Sequence, residues 1–168
     1  SYCSVKKIKG DLFSYPAENI LKEINNCLDD NCSEIWITSQ DNAAYGLENK
    51  ENRLPALLNE IIKIKKYFFI RIGMMNPGNV LPILDQLIEI YKDKKMFKFL
   101  HIPVQSGNNK ILKLMNRKYT VEQFKEIIKK FREAIPNITI STDIICGFPT
   151  ETEEQFNDSL NLIKEIKP

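Results

Sequence analysis

The sequence predicts an α/β fold built on parallel strands, part of a (β/α) barrel, and three observations point to it. Helical and strand-like segments alternate along all 168 residues, a pattern that requires parallel strands joined by right-handed crossovers. The strand-like segments end in polar or Gly-bearing turns: Thr38-Ser39-Gln40-Asp41, Arg71-Ile72-Gly73, the stretch 103–107 and the stretch 143–149. Polar residues also gather on one parity of three of the strands, with Phe69, Arg71 and Gly73 in the second, His101, Pro103 and Gln105 in the third, Thr139, Ser141 and Asp143 in the fourth. A doubly wound sheet is covered on both faces and apolar on both. One polar face instead fits a wide, partly open barrel whose lumen holds a ligand.

Each element has its own signal. Residues 16–29 read as a helix, with Pro16 suited to its start and Ile20, Leu21, Ile24, Cys27 and Leu28 on one stripe. Residues 34–40 read as the first strand and 41–53 as a polar loop. Residues 54–66 are helical through Leu54, Leu57, Leu58, Ile61 and Ile62. Residues 68–73 form the second strand and 74–78 a turn, and a helix over 79–91 follows through Leu84, Leu87, Ile88 and Tyr91. Residues 98–104 are the third strand. A short helix at 108–115 leads to a longer one at 121–134, for which Thr120 and Gln123 have capping-box spacing. Residues 138–146 are the fourth strand, and Thr150 and Glu153 repeat the capping spacing before a helix at 152–166.

Composition narrows the classes. Hydrophobic content of 43%, charged content of 27% and a net charge of +2 are those of an ordinary globular domain with no announced polyanion partner. No apolar run approaches the ~20 residues a membrane helix needs, and no stable membrane contact is expected. The four cysteines, Cys3, Cys27, Cys32 and Cys146, form no dense framework, which fits a reducing cytoplasm. Cys27 and Cys32 read as buried or idle thiols and Cys146 as packing. The first residue is Ser rather than Met, consistent with a piece of a larger protein.

Active sites of βα barrels sit at the C-terminal ends of the strands, so the candidates lie there. Gln40 and Asp41 follow the first strand. Arg71 ends the second, where a guanidinium is placed to clamp a carboxylate. Gln105, Ser106 and Gly107 follow the third, and Asp143 and Gly147 flank the end of the fourth. His101, the only histidine, lies deeper and reads as a hydrogen-bonded lumen residue. The Lys-rich stretches 63–66, 92–95 and 125–130 read mostly as solvated faces. The commonest nucleotide-binding glycine loops are not present.

Several stretches resemble the radical S-adenosylmethionine (SAM) tRNA methylthiotransferases: Ser1-Tyr2-Cys3, Lys9-Gly10-Asp11-Leu12, Gln105-Ser106-Gly107-Asn108, the segment 114–120 and the segment 142–156 (TDIICGFPTETEEQF). The segments 38–46, 71–77 and 146–151 are most like the archaeal and eukaryotic branch that acts on threonylcarbamoyladenosine. The resemblance implies the central part of a radical SAM core domain. The family's N-terminal cluster domain, first barrel strand and C-terminal RNA-binding domain have no counterpart within these residues. It implies a [4Fe–4S] cluster (two in the full-length protein) and S-adenosyl-L-methionine as cofactors, with chemistry that removes hydrogen from C2 of adenine and installs a methylthio group. It implies the tRNA anticodon stem-loop and an electron donor as partners, in the cytoplasm.

Residue by residue, Cys3 matches the third cysteine of the cluster loop, whose first two would precede Ser1. Tyr2 matches the aromatic residue beside it. Gln40 stands where the methionine amino group is met, Arg71, Gln105 and Ser106 where the ribose or carboxylate is met, and Gly147 on the adenine side. Asp143 completes the rim. Other substrates within the family, isopentenyladenosine tRNA or a ribosomal protein, and a barrel scaffold or RNA-binding module without radical chemistry, are the alternatives.

Overall fold

The computed structural model describes residues 4–168, and helices and strands alternate as the sequence pattern demands. A short helix, α1 (Val5–Lys9), comes first and has no counterpart in that pattern. Helix α2 (Ala17–Asp29) starts behind Pro16, which serves as its N-cap at φ −53°. It ends in a two-bond left-handed turn: Asn31 takes φ +64°, its N–H donates to the Leu28 carbonyl at 3.3 Å, and the Cys32 N–H donates to the Cys27 carbonyl at 3.0 Å.

Strand β1 (Glu34–Ile37) pairs in parallel with β2 (Phe69–Ile72), with Trp36 opposite Arg71. Strand β3 (Phe99–His101) pairs in parallel with β4 (Thr139–Ser141), with His101 opposite Ser141. The two pairs meet just before β3. There the Ile70 N–H donates to the Lys95 carbonyl at 2.8 Å and the Phe97 N–H to the Ile70 carbonyl at 2.9 Å. Each strand therefore lies beside its successor, as a βα barrel requires.

The strands are shorter than predicted, and proline chemistry explains part of this. Pro103 has no N–H to give, and the Val104 amide bonds the Thr142 hydroxyl at 3.0 Å instead of a carbonyl. The β3–β4 ladder stops there and resumes only as an isolated bridge between Gln105 and Ile144. The predicted 79–91 helix is also broken. It runs as α4 (Pro77–Val80), a tight turn at 81–83 and α5 (Leu84–Tyr91), because Pro82 has no amide hydrogen and its ring crowds the carbonyl one turn back. The loop at 41–53 is less polar in fact than in pattern: Asn42, Ala43 and Ala44 are buried in one tight turn, and 47–49 form a second.

Helices α3 (Leu54–Ile62), α5 and α7 (Val121–Ala134) cover one face, with α3 touching α2 and α5, and α5 touching α7. Ile35, Ile70, Ile72, Leu100 and Ile140 point into this layer and are buried, each contributing roughly 1.5–3 kcal/mol. Phe124, Phe131 and Tyr91 fill the space between helices, with the Tyr91 and Phe131 rings edge-on at 5.3 Å. Lys95 is not a solvated lysine. Its ammonium donates to the Ile62 carbonyl at 2.9 Å, capping the end of α3, and lies 4.7 Å from the Phe68 ring.

After β3 come α6 (Asn109–Leu114) and α7; α8 (Glu153–Ile166) follows β4. Thr120 and Gln123 form the predicted capping box on α7. The box on α8 uses Thr152 and Gln155, two residues beyond the predicted pair. Thr150 instead takes φ +74° in the preceding turn. Helix α8 packs directly on Gly107: a Cβ there would stand 2.5 Å from Ser159 Cα, so only glycine allows this approach.

Tyr91 provides a test of this core. Its hydroxyl is buried with no partner among the described residues, and burial pushes its pKa upward. An unpaired buried hydroxyl costs on the order of 1 kcal/mol or more. Tyr91→Phe is expected to raise the unfolding free energy in urea by about 1 kcal/mol; a loss of similar size would mean the hydroxyl is satisfied.

Candidate active site

Burying one parity of each strand under the helices leaves the other parity on an open face. On it Trp36, Arg71, Phe99, His101 and Asp143 form one continuous strip. The Arg71 guanidinium carbon lies 4.5 Å from the centre of the Trp36 ring and 4.3 Å from that of Phe99, a double cation–π contact worth roughly 0.5–2 kcal/mol. The rings of Phe99 and His101 are 6.4 Å apart, and His101 Nε2 lies 2.9 Å from Asp143 Oδ2. No ion pair or hydrogen bond engages the Arg71 guanidinium among the described residues. The strip thus holds a half-buried cation, fixed by two rings, with its N–H donors unspent. His101 is the hydrogen-bonded lumen residue that its parity predicts. Trp36 and Phe99 belong to the strip but are not among the rim residues expected from the sequence. Their parity, shared with Glu34 and Arg71 in one strand pair and with His101 in β3, was the available signal.

The rim residues divide into those that face outward and those that fasten the fold. Gln40 is exposed beyond β1, and its side chain has no partner among the described residues. Gln105 is half-exposed at φ +73°, a left-handed conformation that costs a non-glycine residue about 1–2 kcal/mol. Its N–H donates to the Asp143 carbonyl and its carbonyl accepts from the Ile145 N–H, both at 2.9 Å, which holds the strained residue in place. Strain of this kind gathers at functional sites. Gly147 is exposed at φ +72°, and its N–H donates to Glu151 Oε2 at 2.7 Å. Cys146, read from sequence as packing, is exposed in this same turn.

Ser106 is placed differently. It is fully buried, with its hydroxyl 3.4 Å from that of Ser159, and it accepts from the Asn108 N–H at 3.2 Å. Gly107 N–H donates to the Ser159 hydroxyl at 2.7 Å, and the Asn108 amide donates to Asp158 at 2.6 Å. The 106–108 turn thus moors α8 beneath the rim while Gln105 faces out. Asp41 is likewise turned inward. Its carboxylate accepts from the Ala43 N–H at 3.1 Å, the Asn76 N–H at 2.9 Å and the Asn79 amide at 2.7 Å, tying the first loop to the second. Burial raises its pKa in spite of these bonds.

Tyr2 and Cys3 lie outside the described residues. Among the described residues no group of three His, Cys, Asp or Glu side chains is placed to hold a metal ion, so they supply no cluster ligand set. For S-adenosylmethionine the donor set does fit: an unpaired guanidinium for a carboxylate, exposed amides at Gln40 and Gln105, aromatic faces for a purine, and a glycine turn open to solvent. No helix among the described residues is long and apolar enough to cross a membrane.

Four consecutive parallel strands, with a polar and aromatic strip on one side and a strained polar rim, define a partial βα barrel. Comparison makes the class specific. Residues 1–163 match the model of the radical SAM superfamily, and the chain belongs to that family. Radical SAM enzymes use a [4Fe–4S] cluster and S-adenosylmethionine.

The chain is 48% identical over all its 168 residues to a probable threonylcarbamoyladenosine tRNA methylthiotransferase of Methanocaldococcus jannaschii, and covers 39% of that protein. A relative of the same description from Pyrococcus horikoshii shows the same identity and coverage. The threonylcarbamoyladenosine tRNA methylthiotransferase of Drosophila melanogaster is 39% identical over 99% of this chain, which covers 30% of it. The chain therefore spans two fifths or less of the length of these curated relatives. Among solved structures, the cobalamin-dependent radical enzyme OxsB, with aqua-cobalamin and S-adenosylmethionine bound, superposes with a TM-score of 0.69 at 15% identity. That alignment covers 88% of this chain and 22% of OxsB, a likeness of fold.

Asp41 tests the inward placement of the first loop. Its folded pKa is raised above the unfolded value. The stability it contributes is therefore full below the unfolded carboxylate range and is lost as pH rises through the folded pKa. Relative to Asp41→Asn, the native chain is expected to lose unfolding free energy as pH rises from about 4 toward neutrality. Parallel curves for the two proteins would show a solvated Asp41.

Proposed function

We propose that this chain is the central part of the radical domain of a tRNA methylthiotransferase acting on N6-threonylcarbamoyladenosine next to the anticodon, with the methylthio group added to C2 of the adenine. The observation that carries the reading is the 48% identity, without a gap in coverage, to archaeal relatives of that description. The site supports it. Arg71, held between Trp36 and Phe99, is positioned to bind the carboxylate of S-adenosylmethionine through charge-assisted bonds. Gln40 offers its amide to the amino group, and Gln105 with the Gly147 turn borders the nucleoside. The His101–Asp143 pair gives the wall a fixed polar patch where a ribose or a base edge is met. The two rings exclude water from one side of the bound cation and strengthen its pull on an anion.

In this reading Cys3 is one cluster ligand and Tyr2 the aromatic beside it, with the remaining ligands supplied upstream of Ser1. The second cluster and the main tRNA contacts come from the parts of the relatives that this chain does not span. The 168-residue stretch is then inactive by itself. The cofactors supply the radical chemistry, and these residues bind and orient them. The partners are the tRNA anticodon stem-loop and an electron donor, in the cytoplasm.

Nucleoside mass spectrometry of tRNA from a strain lacking the full-length gene is expected to show loss of the methylthio group from threonylcarbamoyladenosine. The native protein should restore it. Arg71→Ala should fail to do so, with S-adenosylmethionine affinity of the reconstituted protein reduced about ten- to a hundredfold, the worth of a bidentate charged pair. An unchanged nucleoside profile in the deletion strain overturns the substrate. Unchanged affinity in the variant overturns the role of Arg71.

A further inference from the structure

Two thiols outside the site lie together where α2 hands the chain to β1, at the end of β1 away from the rim. Cys27 and Cys32 occupy the two positions of the left-handed helix ending whose backbones are joined by the long bond, Cys32 N–H to Cys27 carbonyl at 3.0 Å. A side-chain contact between those two positions frequently accompanies this motif, and the charge of one thiol is felt at the other. Asn31 supplies the φ of +64° that the turn requires. Cys27 is half-buried against the core and Cys32 is exposed. We propose that Cys27 and Cys32 are a modification site, a dithiol that closes to an intramolecular disulfide when it meets a low-molecular-weight disulfide.

The step balances as thiol–disulfide exchange. The exposed Cys32 loses its proton, and its sulfur attacks the small disulfide, breaking that S–S bond and releasing one small thiol. Cys27 then loses its proton and attacks the Cys32 sulfur, forming the Cys27–Cys32 bond and releasing the second small thiol. Two cysteine thiols are oxidised and one small disulfide is reduced to two thiols. The order follows from access: a small disulfide reaches Cys32 first, while burial, and then the neighbouring Cys32, push the Cys27 thiol pKa up. The span is short, but a disulfide needs Cα atoms only about 4.4–6.8 Å apart, and the backbone bond holds these two residues side by side. The product ties the turn that feeds β1, next to the point where the Phe69 N–H bonds the Ser33 carbonyl at 2.9 Å. This inference does not depend on the substrate assigned above.

The test uses oxidised glutathione as probe on the full-length protein, quenched with acid, alkylated and digested with trypsin. The tryptic peptide 23–50 contains Cys27 and Cys32 and no other cysteine. The expected result is a form of this peptide lacking two hydrogens and carrying no alkyl group, in a fraction independent of protein concentration. Cys27→Ser should accumulate one glutathione on Cys32, because the resolving thiol is gone. In Cys32→Ser, modification of Cys27 should be about tenfold slower than that of Cys32 in Cys27→Ser. Accumulation of glutathione on Cys32 of the native protein without an internal disulfide overturns the proposal. So does cross-linking of this peptide to another, or full alkylation of both thiols under oxidant that modifies Cys146.

Discussion

Parallel strands present two parities, and in this chain only one of them is apolar throughout. Ile35, Ile70, Ile72, Leu100 and Ile140 are driven under α2, α3, α5 and α7 by the area they remove from water. The period-2 geometry of a strand then forces Trp36, Arg71, Phe99, His101 and Asp143 to the opposite side. The candidate site is thus a consequence of core formation. A one-residue slip in any strand would bury a polar residue of the strip among the helices and expose an isoleucine or leucine. The constraint that builds the core also places Arg71 between two rings with its donors unspent.

The loops convert this face into a rim through polar side chains turned inward. Asp41 ties the first loop to the second, and Ser106, Gly107 and Asn108 moor α8. These are the residues a sequence reader singles out as functional, because hydroxyls, amides and carboxylates at strand ends look alike whichever way they point. Ser106 and Gln105 are neighbours, yet one is fully buried and the other half-exposed. What separates them is the left-handed φ at Gln105, a backbone property that no side-chain pattern encodes.

The element order, the helical stripes and the polar strand parity were legible because each rests on a local period. The positions where strands stop were not, because they depend on what lies opposite. Pairing lapses at Pro103, which has no N–H to give, and the Val104 amide there meets the Thr142 hydroxyl in place of a carbonyl. The capping box lies at Thr152 and Gln155 rather than Thr150 and Glu153, because Thr150 takes φ +74° and not the extended backbone of an N-cap. The aromatic half of the strip escaped notice because tryptophan and phenylalanine in a strand read as core until the partner strand puts an arginine beside them. The nearness of Cys27 and Cys32 depends on the αL residue between them, which sequence alone leaves open.

In the proposed function, the face carrying Trp36, Arg71, Phe99, His101 and Asp143 is the wall on which S-adenosylmethionine lies. The most direct measurement is a crystal structure of the full-length, cluster-reconstituted protein with that ligand. The expected result is the ligand against this face, its carboxylate within hydrogen-bonding distance of the Arg71 guanidinium. A ligand bound away from the strip, with Arg71 still enclosed by its two rings and touching no anion, would contradict it.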